Sequence, residues 1–303
     1  MHDHGGAVSR RALLLGTLGA GVAAVGAGAA VEWDSPTFVR LRGGCGPNPS
    51  VPTSTYDVHT VTMTSTITDS SGTRTTAFPD TTCYVGLPAG HARGDSTPLA
   101  IYLPGLNRKD EDLKGGLGIT GFATAAGSRL SFVQPAFGGD SYWHPRTDGR
   151  DPMALLLDQV VPAVEKRFGV GGSRERRGVF GSSMGAFGAL LLAQLHPDAV
   201  AAAVALSPAV FQSYAEARRS HAYTFDSEDD WRTYGLWEHL DEIRGPAVRI
   251  DCGSGDPFAP TARQLLKRVP GAVGGIESGC HVGSFWRRRM PATLAFLAAH
   301  LSG

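Results

Sequence analysis

The chain has 303 residues, 42% of them hydrophobic, with 28 Lys+Arg against 28 Asp+Glu and a formal charge of zero. That is enough apolar material for one α/β core, and the balanced charge offers no attraction to nucleic acid or to an anionic membrane surface. The basic runs Arg174-Glu175-Arg176-Arg177 and Arg287-Arg288-Arg289 are short and read as solvated surface charge.

Ser9-Arg10-Arg11-Ala12-Leu13-Leu14-Leu15, followed by an uncharged Ala- and Gly-rich stretch to Val31, reads as a twin-arginine export signal over residues 1–30. Small residues at Ala27-Gly28-Ala29 place cleavage near Ala29 or Ala30; the alternative is an uncleaved anchor, since Ala12 to Val31 is long enough to span a bilayer. Export through the twin-arginine machinery implies an oxidising compartment for the mature protein, whether secreted, periplasmic or cell-wall associated. Cys45, Cys83, Cys252 and Cys280 then read as disulfide candidates, in no spacing that resembles a zinc site, and no cofactor is expected. The pairing expected is Cys45 with Cys83 and Cys252 with Cys280.

Residues 31–55 form an irregular Gly- and Pro-rich lead-in, and residues 56–303 read as one domain. Tyr56 to Ile67 alternates with many β-branched residues and Thr82 to Leu87 follows, which predicts antiparallel edge strands. From Leu99 the pattern changes to short apolar strands separated by helical stretches, the signature of a mostly parallel sheet covered on both faces. Strands are predicted at 99–103, 130–135, 177–180, 201–208, 247–252 and 272–276. Helices are predicted at 151–168, 184–195, 236–243 and 285–301. A polar stretch at 213–235, carrying Tyr214, Tyr223, Phe225, Trp231 and Tyr234, reads as a cap beside a pocket or as a surface excursion anchored by its aromatics.

Gly181-Ser182-Ser183-Met184-Gly185 sits between the strand at 177–180 and the helix at 184–195. In a chain with 40 Gly the pattern G-x-S-x-G arises by chance roughly 0.4 times, so its context must carry it. In a strand-to-helix elbow the flanking glycines leave room for a strained turn that exposes Ser183 Oγ above the sheet. A serine hydroxyl is a weak nucleophile and needs a base, which in turn needs an acid to orient it. Asp256 is the acid that leaves a strand end after the serine, in Gly253-Ser254-Gly255-Asp256-Pro257-Phe258; Asp251 lies within the strand and Glu277 lies too near the histidine. Of ten histidines, His281 leaves the last strand and is the expected base, while His144 precedes the serine. The oxyanion donors expected are the amides of Met184 and of Leu106, with Gly105 the alternative to Leu106. Trp143, Phe258 and Trp286 are candidate substrate-lining residues, each equally readable as core packing.

Leu103-Pro104-Gly105-Leu106, the Gly181–Gly188 elbow, Ser207-Pro208, Gly255-Asp256-Pro257-Phe258 and His281 followed by Phe285-Trp286 stand in a familiar order. From Tyr56 to the C-terminus the chain resembles the esterase family of α/β hydrolases that includes esterase D-type enzymes, exported bacterial acyl esterases and the mycobacterial mycolyltransferases. It departs from the family at Pro104, where a histidine is common. The resemblance implies an α/β-hydrolase fold, a triad of Ser183, Asp256 and His281, and no metal. The expected function is a secreted serine carboxylic-ester hydrolase acting on a small-molecule or lipid ester. Transfer of the acyl group to a sugar or lipid hydroxyl is the alternative, and a non-catalytic cell-wall binding protein is a third reading.

Overall fold

A computed structural model describes residues 45–68, 75–92, 95–106 and 111–302. The export signal predicted at 1–30 and the first part of the lead-in lie outside the described residues. The named strands form one sheet in the order β1-β2-β4-β3-β5-β6-β7-β8. Strands β1 (Asp57–Thr68) and β2 (Thr75–Leu87) pair antiparallel, as the alternation at 56–67 predicts, and β2 joins β4 (Ser131–Pro135) antiparallel. Every later pairing is parallel, through β3 (Leu99–Leu103), β5 (Arg177–Ser182), β6 (Ala202–Leu206), β7 (Ala247–Gly253) and β8 (Val273–Glu277).

The pleat explains why these strands read as continuous apolar runs. Leu99, Ile101 and Leu103 enter one core cluster while Ala100 and Tyr102 enter the other; Val179 and Phe180 divide the same way. One face is covered by α3 (Met184–Leu195) and α2 (Val161–Phe168), the other by α1 (Ile119–Ala125) and α7 (Gly283–His300). Burial on both faces fixes the register, because a one-residue slip would exchange the two cores.

Three predicted helices differ in detail. The segment expected at 151–168 starts on the Asp151 cap, whose side chain accepts from the Ala154 amide at 2.9 Å, but runs as Pro152–Ala154, a wide π-helical stretch Leu155–Val160, and then α2. Pro162 is the physical reason: it has no N–H, and its ring would meet the carbonyl four residues back in a regular helix, so the chain widens ahead of it. The 236–243 segment is two separate 3-10 turns, Leu236–Glu238 and Leu240–Glu242. The closing helix starts two residues early, at Gly283.

The polar stretch 213–235 contains two short helices, α4 (Tyr214–Ser220) and α5 (Glu228–Tyr234), each opened by a serine that accepts from an amide three residues on. Its anchor is the loop after β4. His144 lies stacked between Phe225 and Tyr234 at 5.1 Å from each ring, Arg146 donates to the Tyr223 and Thr224 carbonyls and to Asp226, and the Thr147 amide donates to Asp226. Between β7 and β8 runs α6 (Ala259–Arg268), a helix that the sequence pattern left unassigned.

Candidate active site

The chain turns at Ser183 from β5 into α3 with φ 57° and ψ −118°, a region that costs an L-residue energy and persists only where the surroundings hold it. Backbone bonds do the holding. The Ser183 amide donates to the Leu206 carbonyl at 2.9 Å, and its carbonyl accepts from Ala209 and from Phe187. A Cβ on Gly185 would sit 1.8 Å from the Leu103 carbonyl oxygen and 2.7 Å from that of Pro104, and one on Gly181 would sit 2.3 Å from the Gly185 carbonyl. Only glycine lets the elbow close against β3 in this way.

That contact also sets the loop after β3 directly against the elbow. Leu106, half-buried, is the last described residue there before 111, and Met184 is the first residue of α3. The two amides expected to face the oxyanion therefore come from abutting backbone segments, one of them at a helix N-terminus where the free N–H groups and the dipole favour negative charge.

Ser183 Oγ lies 2.8 Å from His281 Nε2, and His281 Nδ1 lies 2.8 Å from Asp256 Oδ2. A carboxylate only accepts, so Nδ1 carries the ring proton and donates to Asp256. Nε2 of the neutral ring is then the acceptor, and the Ser183 hydroxyl donates to it. The other Asp256 oxygen accepts from the Phe258 amide at 2.8 Å, so this buried carboxylate is satisfied on both sides. The two acids set aside in the sequence are engaged elsewhere: Asp251 pairs with Arg249 and Arg289, and Glu277 with Arg289.

The cysteine pairing expected from the sequence is not the one formed. Cys45 is joined to Cys280, with Cα atoms 5.0 Å apart, while Cys83 and Cys252 are buried free thiols. The Cys45–Cys83 pairing fails on topology. β2 is the second strand of the sheet and β8 the eighth, and at about 4.8 Å per strand the Cys280 loop that holds Cys45 is roughly 29 Å away from Cys83. The Cys252–Cys280 pairing fails because the Cys252 side chain packs against Ala259 and Ala262 of α6. Burial raises both thiols, Cys83 to about 12 and Cys252 further with help from the nearby Asp256 charge, so neither is a reactive thiolate.

Of the three substrate-lining candidates, Trp143 is corrected. It is fully buried, its ring pressed against Gly138 and Gly188, and it belongs to the core under α3. Phe258 and Trp286 both face the base, each with its ring centre 5.4 Å from that of His281, and Phe211 packs on Phe258. His221, in the cap, was not singled out by the sequence. Burial, with repulsion from His281 when that ring is protonated, pushes its pKa down. No cluster of metal-ligating side chains is present among the described residues.

The Esterase family profile matches residues 79–271, well over half of the chain, ending ahead of His281. No curated protein sequence matches the chain. The fold is similar to the S-formylglutathione hydrolase from Agrobacterium tumefaciens, at 18% identity and a TM-score of 0.63 over 84% of this chain and 98% of that one. It is also similar to a ferulic acid esterase from Anaeromyces mucronatus, at 19% identity and a TM-score of 0.58 over 81% and 90%. MPT51 of Mycobacterium tuberculosis aligns at 15% identity with a TM-score of 0.60 over 73% and 94%. The chain belongs to the Esterase family, on an α/β-hydrolase fold, and is a serine carboxylic-ester hydrolase.

Proposed function

We propose that this protein hydrolyses carboxylic esters through an acyl-enzyme formed on Ser183. His281 Nε2 takes the hydroxyl proton as Oγ attacks the acyl carbon, and returns it to the departing alkoxide as the C–O bond breaks. Water enters by the reverse sequence: His281 removes its proton, the hydroxide attacks the acyl carbon, and the proton passes back to Ser183 as the acid leaves. Asp256 holds the imidazole in the required tautomer and stabilises its charged form. The amides of Met184 and Leu106 receive the oxyanion, each such donor contributing about 3–4 kcal/mol of transition-state stabilisation.

The observation that carries this reading is the unbroken line Ser183–His281–Asp256 at 2.8 Å and 2.8 Å on a strained elbow. Phe211, Phe258 and Trp286 around the base suit an apolar or aromatic acyl group, and the likeness to a ferulic acid esterase places feruloyl esters beside straight-chain acyl esters as substrates to compare. The Cys45–Cys280 bond supports an exported protein, since disulfides persist in oxidising compartments, and no described helix is long and apolar enough to cross a membrane. The test is turnover of short p-nitrophenyl esters by wild type and Ser183→Ala, with products analysed in the presence of glycerol and trehalose. Free acid from the wild type alone is the expected result; an acylated alcohol as the main product would make the enzyme a transferase.

A further inference from the structure

We propose that Cys45 and Arg288 are positioning residues for catalysis, forming a strap that fixes the loop carrying His281. The inference rests on His281 acting as the base. Cys280 immediately precedes His281, and its disulfide partner Cys45 lies 235 residues away in the chain. Arg288, one and a half turns into α7, donates to four carbonyls: Cys45 and Pro47 in the lead-in, Ser278 in the His281 loop, and Ser284 in its own helix. Arg287 holds the next stretch of the lead-in through Asn48 and ties it to the Gly116 carbonyl. Val51 then seats against Gly118 at the start of α1.

The loop needs such a device. After β8, an edge strand with much of its surface exposed, residues 278–282 must deliver an imidazole to both Ser183 and Asp256. On one side the loop is bonded to the Asp256 turn, through Ser254 N–H to the Glu277 carbonyl and Gly255 N–H to that of Gly279. On the other side it has the lead-in. A guanidinium reaching Cys45 and Ser278 with the same nitrogen, beside a covalent bond from Cys45 to Cys280, gives two links between the same two segments. Freed of them, His281 keeps its contacts to Ser183 and Asp256 but samples positions around them. A displacement of about 1 Å in a catalytic group costs up to about 100-fold in rate.

The test compares wild type, Cys45→Ser, Arg288→Met, the double variant and a Cys83→Ala control, in protein purified with the disulfide formed. Expected are a kcat reduced roughly 10–100-fold in Cys45→Ser with KM little changed, an intact far-ultraviolet spectrum, and a double variant no slower than the worse single one, as for two links acting on one loop. Wild type treated with a dithiol, which is oxidised as the Cys45–Cys280 bond is reduced to two thiols, loses kcat to the same extent and regains it on reoxidation. Cys83→Ala keeps the wild-type kcat. A Cys45→Ser enzyme with wild-type kcat and only a lower Tm would overturn the proposal and leave the disulfide a stabiliser. If Cys45→Ser does not fold, the reduced and reoxidised wild type decides by the same criterion. Failure of the catalytic reading is separate, since it shows as Ser183→Ala retaining activity.

Discussion

The amide of Gly255 donates to the carbonyl of Gly279 at 2.7 Å, joining the turn that carries the acid to the loop that carries the base. With the parallel bond from Ser254 to Glu277, it ties the Asp256 side of the His281 loop to the turn that carries the acid. A disulfide between those two segments is unnecessary, and β7 packs too closely there to need one: a Cβ on Gly253 would meet the Gly279 carbonyl at 2.5 Å.

Peptide mapping of unreduced, alkylated protein should therefore yield a Cys45–Cys280 linked pair, with Cys83 and Cys252 carrying the label after denaturation. Cys252→Ala should retain kcat within about twofold and cost about 1 kcal/mol, the loss of a small buried group. A linked Cys252 peptide is the contrary outcome.

Asp256→Asn should fold normally and lose about 10⁴-fold in kcat, because the amide can donate to His281 Nδ1 and so favours the wrong tautomer. His281→Ala should lose at least as much, and the double variant no more than the worse of the two, since the groups act as a unit. Rates on p-nitrophenyl acetate with matched KM values check this.

Gly185→Ala should be the most damaging single-methyl change in the molecule's elbow. Its added carbon would collide with the Leu103 carbonyl rather than with a movable side chain. The expected cost is about 3 kcal/mol or more in denaturant unfolding, with kcat reduced in the folded fraction. The same substitution at Gly275, which has no positive φ and nothing within 4 Å of an added Cβ, should cost far less.

His144, buried between Phe225 and Tyr234, should make stability depend on pH. Burial holds its pKa below the ordinary value of 6.5, outweighing the nearby Asp230 carboxylate at 3.6 Å. Between the folded and unfolded pKa values the unfolded chain binds the extra proton, so stability falls as pH drops below about 6.5 and levels off below the folded pKa. The melting temperature should decline from pH 7 to pH 5, and His144→Gln should flatten that part of the curve. An unchanged slope in the variant would assign the acid sensitivity elsewhere.

Much of this site was legible in the chain because its parts are local. The elbow declares itself through two glycines at fixed offsets from Ser183, and Asp256 and His281 each follow an apolar strand, so strand ends alone bring them to one edge of a parallel sheet. What was hidden depends on three-dimensional direction. Cys252 and Cys280 are close in sequence to the acid and base, but the strand turns Cys252 into α6, which no spacing rule reveals. Trp143 read equally as a pocket aromatic or as core packing, and only its ring lying against Gly138 and Gly188 decides for the core. Cys45 and Arg288 carry no motif, and their link to His281 arises only when the lead-in folds across the far edge of the sheet.

The central claim is that Ser183 is the nucleophile activated by His281, and its most direct test is covalent. Wild-type protein treated with a fluorophosphonate should gain one adduct, found by mass spectrometry on the peptide containing Ser183. The adduct should be absent from Ser183→Ala and should form far more slowly in His281→Ala. An adduct on any other residue, or a Ser183→Ala protein that still hydrolyses p-nitrophenyl esters at the wild-type rate, would contradict the account.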